Sequence, residues 1–261
     1  MEIKNLSWRN NGNRNNNPLL PKSVRGVIVG KSGCGKTTLL CNLLLQPEWL
    51  DYDKLMVYGK SLFQPEYRVM KKAFELELPK KDIFKVLENS DKVINSDVDV
   101  NTLLEHWAKA NKNDSPINAK FFESGDDVCD PKDLDPNDKN LMVFDDLLLE
   151  KQNACERYYV RGRHSNVDCF YLSQNYFKLP RQTIRENANF FCLFPQDAKN
   201  LNHIHQDHVA TDMSLEEFKT FCNRCWQQPH DFVTIDLSSS KCNGRYRCGL
   251  DEFYIPSSEL H

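Results

Sequence analysis

The sequence predicts an α/β fold: a mainly parallel sheet with helices on both faces. Three observations predict it. Short apolar, β-rich runs alternate with helical stretches along most of the chain. The run VRGVIVG at 24–30 stops at a glycine, and a glycine-rich loop then leads into a helical pattern over 36–45. With 261 residues, the chain can bury the core of one large domain over 21–261, preceded by a disordered segment over 1–20 that contains the low-complexity run RNNGNRNNN.

Taken in order, KLMVYG at 54–59 is a second strand. Residues 61–139 are charged and mostly helical in pattern, with turn signals at 114–116 and 130–136, and should form a module on the sheet edge. LMVF at 141–144 is a third strand, 150–163 a helix, and VDCFYLS at 167–173 a fourth strand. Pro180 opens a loop and short helix over 179–187, and 190–194 is a fifth strand. Ser214 and Glu217 make a capping-box signature ahead of a helix to Cys225. A last strand follows at 232–237, inside a C-terminal strand-and-ribbon piece over 226–261.

The gross numbers narrow the function. No apolar run approaches the ~20 residues of a membrane span, and MEIKNLSWRN lacks a signal-peptide core, so the reading is a soluble intracellular protein without a membrane partner. Ten cysteines are present, but Cys34, Cys169 and Cys192 sit in apolar or loop segments, which suggests reduced thiols acting as small hydrophobes. A formal charge of -3 excludes a polycation, so any nucleic-acid contact must come from local patches or from a ring that concentrates them.

GKSGCGKTT, residues 30–38, fits G-x-x-x-x-G-K-[ST] with strand before and helix after. This is a P-loop: Gly30, Lys31, Ser32, Gly33, Cys34, Gly35, Lys36, Thr37 and Thr38 would wrap the phosphates of ATP. Lys36 would reach the β- and γ-phosphates and the Thr37 hydroxyl would ligate Mg²⁺. In LMVFDD, Asp145 at the strand end would hold the Mg²⁺ shell, and Asp146 would polarise the attacking water; two acids there favour hydrolysis over simple binding. Gln174, at the end of the fourth strand, is placed to sense the γ-phosphate. Arg161, Arg163, Arg181 and Arg185 surround it in sequence, and Arg163 and Arg185 lead as candidates for an arginine finger given to a neighbouring subunit.

The order GKSGCGKTT, VFDD, RGRH, YLSQNYFKLP and IREN resembles the genome-packaging ATPases of the HerA–FtsK superfamily, nearest those of Polinton/Maverick elements, adintoviruses and virophages, relatives of the poxvirus packaging ATPase. SLFQPEY, DMSLEEFKTFC, DFVTIDL and RYR extend the resemblance over nearly all the chain after residue 20. It implies a RecA-like P-loop core of the ASCE type, with the Gln174 strand between the P-loop strand and the Asp145 strand. It also implies a ring homo-oligomer that pumps double-stranded DNA into a capsid, with capsid or portal-like vertex proteins as partners, in the host cytoplasm or nucleus or with the virion. Gln174 matches the family's sensor glutamine. Many members carry Asp-Glu where this chain has Asp145-Asp146, which leaves Asp146 and Glu150 both open as the base. Alternative readings are a cellular DNA pump without a capsid and a nucleotide-dependent switch.

Candidate DNA contacts are Lys71, Lys72, Lys80, Lys81 and the Arg245–Arg247 hairpin, gripping phosphates and not bases. Two motifs are set aside. NKND at 111–114 precedes the Asp145 strand, the wrong side for a guanine-reading motif. Cys222 and Cys225 read as helical core, with zinc the lesser alternative, and His203, His205 and His208 as a polar surface loop.

Overall fold

Strand residues of alternating orientation build two separate cores, one on each face of a nine-stranded sheet. The computed structural model describes residues 17–88, 100–110 and 116–259. The lead-in up to residue 16 and the NKND motif lie outside them. The sheet order is β3-β2-β4-β5-β1-β6-β7-β8-β9. Its strands are β1 (Arg25–Val29), β2 (Lys54–Gly59), β3 (Asn118–Phe122), β4 (Asn140–Asp145), β5 (Val167–Ser173), β6 (Phe190–Leu193), β7 (Val233–Asp236), β8 (Tyr246–Cys248) and β9 (Glu252–Tyr254). The first six strands in that order run parallel and the last three antiparallel.

Period-two alternation decides which side each residue feeds. Ile28, Val57, Val143, Phe170, Leu172 and Cys192 face one core. Val29, Met56, Phe144, Tyr171 and Phe191 face the other. The first core is covered by α1 (Lys36–Leu45), α2 (Pro65–Glu75), α3 (Lys80–Glu88) and α4 (Val100–Ala110). The second is covered by α5 (Asn153–Arg161), α6 (Ala198–Ile204) and α7 (Leu215–Cys225). The central strands are buried on both faces, so they read as continuous apolar runs.

β5 lies between β1 and β4, pairing with both in parallel. This is the RecA-like P-loop NTPase arrangement of the ASCE type. Gly26 is required within it: a Cβ there would meet the Phe170 ring of β5 at 2.4 Å. The Gly26 carbonyl also accepts a hydrogen bond from the buried Tyr159 hydroxyl of α5.

Three sequence readings need correction. The 61–139 region carries helices α2 to α4 as expected, but it also returns to the sheet as β3, the parallel edge strand beside β2. The cysteines are not all free thiols: Cys225 and Cys248 form a disulfide that ties the end of α7 to β8, and Cys222 lies buried in the core. The histidine segment is helical and partly buried, not a surface loop. His203 stacks on Phe177, His205 reaches the Met213 carbonyl at 2.9 Å, and His208 meets the Tyr176 hydroxyl at 2.8 Å, where burial holds its pKa down at about 4.

The Ser214 cap forms, its hydroxyl accepting from the Glu217 amide at 3.2 Å. The return half of the box does not: Glu217 instead takes Tyr254 and Ser257 of the C-terminal segment. Among the described residues no helix is long and apolar enough to cross a membrane.

Candidate active site

The site sits where the parallel strands β1, β2, β4 and β5 end. Beyond Val29 the chain turns through the P-loop, anchored by the Gly30 amide donating to the Ser173 carbonyl at 3.0 Å. Gly30 tolerates no side chain, since a Cβ would meet Cys34 Sγ at 2.4 Å and Phe194 Cβ at 2.7 Å. Gly33 and Gly35 take left-handed φ values of 74° and 106°, open to glycine at little steric cost. Gly35 leads into α1 without any side-chain cap, so the first amides of the helix stay available to an anion. The Lys36 ammonium folds over the loop, donating to the carbonyls of Gly30 at 2.8 Å and Lys31 at 2.9 Å. Burial raises the Cys34 thiol's pKa, which keeps it a poor nucleophile.

One cavity of about 420 Å³ gathers most of the residues expected from the sequence. Ser32, Gly33, Gly35, Lys36, Thr37 and Thr38 line it from the loop side, and Asp145, Asp146 and Gln174 from the strand ends. Asp145 is buried and accepts from the Tyr67 hydroxyl at 2.6 Å. Burial pushes its carboxyl up to about 6, with Asp146 adding to the rise and with Tyr67 and Lys36 pulling the other way. Asp146 has a left-handed φ of 56°. Its carboxylate receives Gln174 Nε2 at 3.3 Å on one oxygen and Ser61 Oγ at 2.9 Å on the other. Glu150 faces elsewhere: it pairs with Lys60 at 3.8 Å and lines a separate hollow with Tyr58 and Arg157.

The Thr37 hydroxyl and the Asp145 carboxylate are hard oxygen donors on one cavity. That donor set fits Mg²⁺, which binds through one or two carboxylates plus substrate phosphates.

The raised Asp145 pKa carries a stability prediction. In metal-free protein the folded value, about 6, lies above the ordinary 3.8. The neutral acid therefore stabilises the fold; that contribution is complete below the unfolded value and is lost as pH rises through 6. Urea unfolding of metal-free wild type should show stability falling between pH 4 and 7 by on the order of 2–3 kcal/mol more than in Asp145→Asn. Parallel pH profiles for the two proteins would contradict this.

The arginines separate. Arg185 is buried and pairs with Asp207 at 2.8 Å, beneath Tyr176. It is a core ion pair and does not present a finger to a neighbour. A buried arginine withdrawn from Asp207 would leave an uncompensated charge, which is strongly destabilising. Arg181 reaches Asp207 and Glu186. Arg163 is exposed just before β5, at the opposite end of the strands from the P-loop. Any role for it in hydrolysis must serve another subunit's site.

Both arginines of the Arg245–Arg247 hairpin are engaged by carboxylates. Arg247 is fully buried against Asp236 at 2.9 Å, and Arg245 pairs with Asp212 at 2.8 Å. Lys80 lies over the Tyr52 ring and donates to the Leu50 carbonyl, with burial lowering its pKa to about 8. Lys71 and Lys81 are exposed.

Sequence reasoning missed several site residues. Ser61, Gln64, Glu66 and His230 line the cavity, and Tyr67 holds Asp145. The available signal was SLFQPEY itself: Pro65 at the first position of α2 starts the helix directly after Gln64, and so fixes the segment against the strand ends. His230 stands at a left-handed φ of 71° with Nδ1 2.9 Å from the Cys34 carbonyl.

No protein-family model matches the chain, and no curated protein matches it. Among solved structures, the genome packaging NTPase B204 from Sulfolobus turreted icosahedral virus 2, in complex with sulfate, is similar over 85% of this chain and 95% of that one, at 11% identity and a TM-score of 0.49. VirB4 of Thermoanaerobacter pseudethanolicus is similar over 97% of this chain and 94% of that one, at 13% identity and a TM-score of 0.45. The N-terminal domain of zonular occludens toxin from Neisseria meningitidis covers 67% of this chain, and 78% of its own length, at 14% identity and a TM-score of 0.35.

Proposed function

We propose that this chain is a Mg²⁺-dependent ATPase motor that drives double-stranded DNA into a viral or virus-like capsid, working as a ring of identical subunits. The observation that carries the catalytic part is Asp146, held between Gln174 and Ser61 on the same cavity as Lys36. The DNA and capsid part is supported by the run of motifs from GKSGCGKTT to IREN described above.

The residues divide the work. The P-loop amides and Lys36 bind and orient the triphosphate. Thr37 and Asp145 would hold Mg²⁺, which when bound neutralises charge building on the transferred phosphoryl group. Asp146 takes the proton of the attacking water. Gln174 touches both that base and the cavity, so it can report the γ-phosphate to the segment after β5, where Tyr176 bonds Asp207 at 2.8 Å. Arg163 serves as the finger across a subunit boundary, and capsid or portal-like vertex proteins receive the ring.

The separating experiment is steady-state ATPase with and without double-stranded DNA of random sequence. A translocase should be stimulated severalfold, and the stimulation should fade with rising salt because the grip is on phosphates. A rate indifferent to DNA at low salt would leave a nucleotide switch as the better reading.

A further inference from the structure

Beyond Gln174 the chain leaves β5 and folds over the face of the sheet opposite α1, where α6 follows β6. Three side chains there stay at the surface: Phe177, 45% exposed, and the exposed Lys178 and Lys199. The Phe177 ring stacks on His203, with centroids 4.4 Å apart and planes 25° from parallel. Lys199 stands one helical turn before His203 on α6, and its ammonium lies 4.7 Å from the centre of the same ring. Among the described residues neither lysine pairs with a carboxylate.

The patch is fixed from below. The Phe177 amide donates to Oδ1 of the buried Asn200 at 3.3 Å, and the Lys178 amide to Asn175 Oδ1 at 3.2 Å. Arg185 lies beneath both rings of the segment, its Cζ 5.0 Å from the Tyr176 centroid and 5.9 Å from that of Phe177. The acids nearby are already engaged. Asp207 holds Arg185 and Tyr176, Glu186 offsets Arg181 at 3.3 Å, and Asp197 caps α6 through the Asn200 amide at 2.8 Å. What faces solvent is therefore a rigid apolar ring with two ammonium groups beside it.

We infer that Phe177, Lys178 and Lys199 form the surface that grips the sugar–phosphate backbone of duplex DNA, resting on the translocase reading for the DNA itself. The ammonium groups act on phosphates as compact point charges, and the ring packs against deoxyribose. Such contacts position a duplex without reading its bases, as a motor indifferent to sequence requires. The place of the patch favours the substrate that is moved over a static docking partner. Phe177 follows Gln174 by three residues, so a displacement at the γ-phosphate reaches it through a very short stretch of chain. On the face of the sheet opposite α1, DNA held there leaves the nucleotide cavity unobstructed.

The test is fluorescence anisotropy of a labelled random-sequence duplex over a salt series. It compares wild type with Lys178→Gln/Lys199→Gln, with Phe177→Ala, and with Lys71→Gln/Lys81→Gln, an equal charge change at exposed lysines on the α1 side of the sheet. Thermal melting confirms each fold. Lys178→Gln/Lys199→Gln should bind the duplex about tenfold or more weakly at about 0.1 M salt, with the log–log salt slope reduced by about two, one for each phosphate contact. Phe177→Ala should lose about threefold or more with its slope unchanged, because the contact removed carries no charge. ATPase without DNA should stay within about twofold of wild type in all three, since none of these residues touches the nucleotide cavity. Wild-type affinity and slope in Lys178→Gln/Lys199→Gln overturn the surface while leaving the DNA reading intact, and so does an equal loss in Lys71→Gln/Lys81→Gln. Retained DNA binding with self-association lost by light scattering overturns it too, and makes the patch a contact between copies of the chain. If wild type binds no duplex even at about 0.02 M salt, where phosphate contacts are strongest, the DNA reading falls, and the surface with it.

Discussion

Asp146→Asn is expected to bind ATP with near-wild-type affinity and to lose turnover by roughly 10²–10⁴, the range of a general base. Asp145 and the P-loop remain to hold the nucleotide, while the group that accepts the water's proton is gone. The substitution is a clean one. At φ 56° Asp146 occupies the left-handed region, where Asn is among the residues best tolerated, so backbone strain does not contaminate the readout. Glu150→Gln should leave turnover close to wild type, because Glu150 is engaged with Lys60 away from the cavity. Single-turnover hydrolysis and nucleotide retention on both variants check the pair. Trapped ATP in Glu150→Gln, with normal turnover in Asp146→Asn, would move the base one helical turn further along the chain.

Lys36→Ala should lose roughly 10²–10³ in turnover and weaken ATP binding as well. The ammonium is already poised over the loop on the Gly30 and Lys31 carbonyls, so its exchange of those partners for phosphate oxygens needs only side-chain movement. Steady-state kinetics on the purified variant decides it: turnover near wild type would sink the assignment of the P-loop as a working catalytic site. Both variants keep Thr37 and Asp145, so they separate loss of chemistry from loss of metal.

What was legible in the sequence was whatever local pattern dictates. The β1–loop–α1 unit, the strands ending at Asp145 and Ser173, and the capped start of α7 all follow from short-range periodicity and fixed motif spacing. The position of β5 between β1 and β4 came from resemblance, since strand order is a long-range property. Edge strand β3 escaped because NAKFF is short and half-exposed, without the apolar run of a central strand. Ser61, Tyr67 and His230 escaped for a different reason: the fold brings them to the P-loop from 23 or more positions away, and no spacing encodes that. The arginines misled because Arg185 and Arg247 look like surface cations until Asp207 and Asp236 are seen beside them in the interior. Cys225 and Cys248 paired for the same reason, through a contact between α7 and β8 that neither segment announces.

Gly26 and Phe170 face one another across β1 and β5 as register partners, with the ring occupying the space where a side chain on residue 26 would be. The two positions share one fixed volume. Evolution can therefore alter them only together: a larger residue at 26 demands a smaller one at 170, the first change alone pries the P-loop strand away from the strand that carries Gln174, and the second alone leaves a void between them. In relatives of this chain the pair should drift as a unit, with the sum of the two side chains conserved while the individual residues change.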